Sequence, residues 1–127
     1  TPFDFTQMKK VSQDIGAEDA QLVLVDGYDH NFVIDDYEEG KVQKIAEVVD
    51  EEAGRTMEVY SDLPGVQLYA GNNIAPEFGK EGAFYRMRSG LCLETQFFPN
   101  SANQEGFIKP VVGPEKPFTS TTIYKFV

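Results

Sequence analysis

The chain has 127 residues, and 21 acidic against 11 basic side chains give it a formal net charge of −10, which disfavours nucleic acid and anionic membrane surfaces as partners. This length supports one domain, and the lone cysteine, Cys92, excludes an internal disulfide and any cysteine-rich zinc site. No stretch reaches membrane-spanning length and no basic-plus-apolar leader opens the chain, so the expected compartment is the cytoplasm.

In chain order, Thr1-Pro2-Phe3-Asp4-Phe5 is an extended, apolar opening that reads like the interior of a longer protein. Lys9 to Ala20 is polar, with room for a helical turn or two. Gln21-Leu22-Val23-Leu24-Val25 is rich in β-formers and predicts a strand, stopped by the turn pair Asp26-Gly27. Tyr28 to Ile34 predicts a second strand, and Asp35 to Gly40 an acidic loop whose spacing matches no calcium site.

Two alternating segments, Lys44–Asp50 and Thr56–Ser61, predict a hairpin with Gly54 at a positive-φ position. Val66–Gly71 predicts a further strand. Asn72 to Arg88 is loop-like and long enough to rim a site. Leu91–Phe98 predicts a strand, Pro99 to Pro117 a Pro/Asn/Gly-rich connection, and Phe118–Val127 a closing β-branched, aromatic strand. Short strands with frequent turns and no long amphipathic helix make an all-β fold, in the form of a β-sandwich.

Three polar residues interrupt strands where apolar ones are expected: Asp29, Gln67 and Glu94. Together they offer the acceptors and donors that sugar hydroxyls require, with Phe and Tyr faces available for the sugar's C–H surface. In Gly90-Leu91-Cys92-Leu93-Glu94-Thr95-Gln96, alternation sets Leu91, Leu93 and Thr95 on one face and Cys92, Glu94 and Gln96 on the other. A carboxylate between apolar neighbours is costly to bury unless it is paired or used, which makes Glu94 the first candidate for chemistry. Asp29 and Glu94 could also form a glycosidase-type carboxylate pair. His30, the single histidine, falls on the face opposite Asp29 and reads as a structural hydrogen-bonding residue. Cys92 has no second histidine to activate it and reads as a small core residue. No glycine-rich phosphate loop is present.

Four segments taken together resemble the aldose 1-epimerase (galactose mutarotase) family. They are Gly27-Tyr28-Asp29-His30-Asn31-Phe32, Gly54-Arg55-Thr56-Met57-Glu58-Val59-Tyr60, Pro64 to Asn72, and Ser89 to Gln96. They stand in the family's order and at similar spacing. Thr1–Phe5 resembles the family's mid-chain segment, and Thr121–Phe126 its C-terminal strand. The resemblance implies the C-terminal part of a galactose-mutarotase-like sandwich, acting on the anomeric centre of free aldohexoses such as galactose or glucose. It implies Glu94 as the base that takes the C1 hydroxyl proton, and Asp29 and Gln67 as ligands of sugar hydroxyls.

The family's acid, a histidine, belongs to the part of the fold before Thr1 and has no counterpart here. The isolated chain is therefore expected to be inactive or weak, and to pair with an N-terminal half of the same fold or with itself. No metal or organic cofactor is implied, because both steps are proton transfers. A catalytically silent carbohydrate-binding domain is the second reading. Epimerisation of phosphorylated hexoses is a third, which no basic cluster near the motifs favours.

Overall fold

Strands dominate the regular structure, as the alternation and the β-branched content predict. The computed structural model describes residues 1–127 in two units, one of residues 1–30 with 68–93 and one of residues 31–67 with 94–127. The strands are β1 (Asp29–Val33), β2 (Gln43–Asp50), β3 (Arg55–Ser61), β4 (Gly65–Tyr69), β5 (Glu77–Phe78), β6 (Phe84–Tyr85), β7 (Cys92–Gln96) and β8 (Thr122–Phe126). They form a sheet in the order β1-β4-β7, a sheet in the order β2-β3-β8, and a two-stranded ribbon of β5 and β6. The all-β expectation holds.

In the second unit, β2 and β3 pair antiparallel with Asp50 opposite Arg55, and β3 pairs antiparallel with β8. The hairpin turns where Gly54 takes φ 63°, and the Asp50 carboxylate accepts from the Ala53 N–H at 3.1 Å. Ile34, Val59, Leu63 and Val66 are this unit's buried apolar residues. On the polar face of the sheet Glu58 stands between two lysines, Lys44 of β2 (3.0 Å) and Lys125 of β8 (2.9 Å), and also accepts from the Tyr60 hydroxyl at 2.9 Å. These partners hold the Glu58 carboxyl down at about 2, the Lys125 hydrogen bond first, then those of Lys44 and Tyr60.

In the first unit the apolar opening packs on Tyr28, which is fully buried. Phe3 and Phe5 meet its ring edge-on, at centroid distances of 5.8 and 5.3 Å, and its hydroxyl donates to the Pro2 carbonyl at 2.6 Å. Lys9 closes the same knot: its ammonium reaches the Pro2 carbonyl at 2.7 Å and Asp14 at 2.8 Å, over the face of Phe5. Leu22, Leu68 and Ala70 complete the buried apolar set of this unit.

One element departs from the expectation. Gln21–Val25 lies in a short helix, α1 (Ala20–Val25), and not in a strand. Local capping decides it. The Asp19 side chain accepts from the Gln21 N–H at 2.9 Å, and Asp26 ends the helix in the left-handed region, with the Gly27 N–H bonded back to Leu22. Only Leu22 of its apolar residues is buried, while Val23 and Leu24 are exposed. The rim segment 72–88 is also more ordered than a loop, since it contains the β5–β6 ribbon.

Candidate functional site

β1 and β4 run antiparallel: the Ile34 N–H bonds the Pro64 carbonyl at one end, and the Ala70 N–H bonds the Tyr28 carbonyl at the other. That register sets Asn31 across from Gln67. On β7, Thr95 hydrogen-bonds Thr122 of β8 through their hydroxyls at 2.6 Å. Thr95 thus faces the β2-β3-β8 sheet, and alternation turns Glu94 and Gln96 to the opposite face.

Three amides meet within the second unit. Gln96 donates from Nε2 to Asn31 Oδ1 at 3.1 Å and, at the long limit of 3.5 Å, to Gln67 Oε1. All three side chains are half-buried. The sequence makes room for this cluster at Gly65, where a Cβ would lie 2.6 Å from Asn31 Oδ1. Such a row presents fixed donors and acceptors along one strip of sheet, which suits a ligand with several hydroxyls.

Glu94 stands two residues before Gln96 on β7 and is exposed. The burial expected to raise the energy of its carboxylate is therefore not supplied by this chain. Cys92, two residues earlier again, is also exposed, which corrects its reading as a core residue: it lies on the outward face of β7.

Asp29 belongs to the first unit, at the start of β1, and is half-buried. Its backbone N–H donates to His30 Nδ1 at 3.1 Å, and the His30 ring packs edge-on against Phe3 at 4.8 Å. These contacts tie His30 to the start of β1 and to the opening segment. The unit also contains the shifted Tyr28 hydroxyl, whose pKa is raised by burial first and by the nearby Asp14 second. No group of three or more His, Cys, Asp or Glu side chains is placed to hold a metal ion, and no helix is long and apolar enough to cross a membrane.

Residues 1–125 match the family model described as aldose 1-epimerase. The chain belongs to the aldose 1-epimerase family. It is 43% identical to the galactose mutarotase of Mus musculus and 40% identical to that of Homo sapiens, each over 80% of this chain and 30% of the relative. It is 33% identical to the aldose 1-epimerase of Escherichia coli (strain K12) over its whole length and 37% of that relative. The chain thus spans about a third of the length of these curated relatives.

The structure brings Gln67 into the amide cluster with two residues not singled out from the sequence, Asn31 and Gln96. The signal for both was present. Each is a polar residue inside a strand, two positions after Asp29 and Glu94 respectively, on the same face by alternation. The rule that selected Asp29, Gln67 and Glu94 selects them as well.

Proposed function

We propose that this chain supplies the base and the sugar-binding strip of an aldose 1-epimerase that interconverts the α and β anomers of free aldohexoses such as galactose and glucose. Glu94 removes the proton from the C1 hydroxyl. The electron pair forms the C1 carbonyl as the bond from C1 to the ring oxygen breaks, and an acid delivers a proton to that oxygen. Rotation about C1–C2 and the reverse sequence close the other anomer. Asp29 and Gln67 hold sugar hydroxyls, and the row Asn31–Gln67–Gln96 fixes the amides on the face that bears Glu94.

That row carries the reading, because half-buried amides ordered on a strip beside an exposed carboxylate suit a polyhydroxylated ligand. Family membership supports the same chemistry. The acid is a group outside these residues, as the family resemblance implies; His30, which accepts from the Asp29 N–H and packs on Phe3, is not given that role. A base without a positioned acid forfeits on the order of 10²- to 10⁴-fold in rate, so activity belongs to a larger mutarotase-like domain of which this chain is part. β8, an edge strand with exposed Ile123 and Phe126, suits pairing with a further segment of that domain or with a second copy.

The test is polarimetry of a single anomer of galactose or glucose in the complete protein that carries this chain. Glu94→Gln is expected to remove the acceleration, and an unchanged rate would sink the assignment. Calorimetry on the same samples separates a silent carbohydrate-binding domain, which would bind sugar without converting it.

A further inference from the structure

Asn72 is the most buried polar side chain of the first unit, 3% exposed, and it acts on the backbone that leads into Asp29. Its Nδ2 donates to the Val25 carbonyl at 3.1 Å and to the Tyr28 carbonyl at 3.0 Å. One amide therefore ties the end of α1 to the start of β1, across the turn Asp26-Gly27.

The turn is shaped around that amide. Gly27 sits at φ 130°, and a Cβ there would lie 2.5 Å from Asn72 Oδ1. The outer side of the turn is held as well, by the Arg88 guanidinium on the Asp26 carbonyl at 2.9 Å.

The Tyr28 carbonyl belongs to the peptide bond that enters Asp29. A peptide unit is planar, so fixing its oxygen and its N–H fixes the plane. Here the oxygen accepts from Asn72 and from the Ala70 N–H at 3.0 Å, while the N–H of the same unit, that of Asp29, is bound to His30 Nδ1. The Tyr28 ring is clasped by Phe3 and Phe5. Together with the extended φ that β1 imposes on Asp29, the plane of this peptide sets the direction in which its Cα–Cβ bond leaves the chain.

We infer that Asn72 is a positioning residue for Asp29: it holds the Tyr28–Asp29 peptide in the orientation that aims the Asp29 carboxylate at a sugar hydroxyl. The inference rests on the proposed role of Asp29 as a sugar ligand. A purely structural amide would limit only how much protein is folded, whereas a positioning amide changes the affinity of the folded protein for sugar.

A double-mutant cycle decides between these roles. In the complete protein carrying this chain, mutarotation of α-galactose is followed by polarimetry for wild type, Asp29→Ala, Asn72→Ala and the double variant, with melting temperatures recorded for each. Asn72→Ala is expected to raise KM about tenfold when Asp29 is present and to have no further effect on KM when Asp29 is already alanine. Its melting temperature falls equally in both backgrounds.

Losses in kcat/KM that multiply across the cycle, or a fall in kcat at unchanged KM, would overturn the inference and leave Asn72 structural. If Asp29→Ala alone leaves KM and kcat unchanged, the sugar-ligand role of Asp29 falls and the positioning role falls with it. Should Asn72→Ala fail to fold, Asn72→Ser, which keeps one donor, carries the same cycle with a smaller expected rise of about threefold.

Discussion

Gln96 Nε2 donates to Asn31 Oδ1 at 3.1 Å, and in doing so it joins β7 to β1 over the central strand β4. The partners are half-buried, so losing one of them leaves the other poorly solvated. Gln96→Leu keeps the volume and removes the donor, and it is expected to cost about 1 kcal/mol of stability. Asn31→Leu is expected to cost a similar amount, and the double variant less than the sum, because no orphaned amide remains. Urea unfolding midpoints of the three variants check this, and strictly additive costs would show that the bond contributes nothing.

Glu58 makes stability depend on acid. Its folded pKa, about 2, lies below the usual glutamate value of 4.5, owing chiefly to the Lys125 and Lys44 hydrogen bonds. A depressed carboxyl pKa contributes stability that is present above the unfolded value and lost as pH falls through the folded one. Wild type is therefore expected to lose stability between about pH 4.5 and pH 2, and Glu58→Gln to lose less over that window. Added salt should shrink the difference at pH 7, since all three partners reach solvent. Thermal melts at pH 7 and near pH 2.5 measure both effects, and parallel melting curves for the two proteins would exclude them.

Where short-range patterning decides the outcome, the sequence was readable. The β2–β3 hairpin and its glycine turn follow from alternation and turn chemistry, and the closing strand from β-branched and aromatic content, although β8 occupies only Thr122–Phe126 of the 118–127 segment. At Gln21–Val25, β-propensity gave the wrong element, because Asp19 and Asp26 supply caps and nothing in the composition of the five residues records that. The site was legible in part for a similar reason. Polar residues inside strands mark the face of the sheet, and that marked Gln67, but which amides touch depends on strand order, and β1, β4 and β7 are far apart in sequence. Exposure of Glu94 and Cys92 was not legible. Apolar sequence neighbours point to the other face of a strand and say nothing about what covers this one.

Two glycines separate backbone strain from steric clash. Gly54 and Gly71 have similar dihedrals, φ 63° and 70°, but a Cβ on Gly54 meets open space, while on Gly71 it would lie 2.6 Å from the backbone oxygen of Gly90. Gly54→Ala is expected to cost about 1 kcal/mol, the penalty of the left-handed region. Gly71→Ala adds an overpacking term of about 1–3 kcal/mol, since backbone cannot step aside as a side chain can. Equal losses in chemical denaturation would mean that the chain near Gly90 yields freely.

Tyr28 links the opening segment to β1 through one hydroxyl. Tyr28→Phe preserves the ring contacts with Phe3 and Phe5 and removes only the 2.6 Å bond to the Pro2 carbonyl, at an expected cost of about 1 kcal/mol near neutral pH. That advantage declines in alkali. Burial, and then Asp14, raises the folded pKa of Tyr28 above its ordinary value of 10.0, so the neutral phenol contributes stability that is present below that value and lost as pH rises through the folded pKa. The phenylalanine variant has no such proton to lose. The gap between the two proteins is thus expected to narrow above pH 10, and a constant gap from pH 7 to pH 11 would show that this hydroxyl is solvated rather than held.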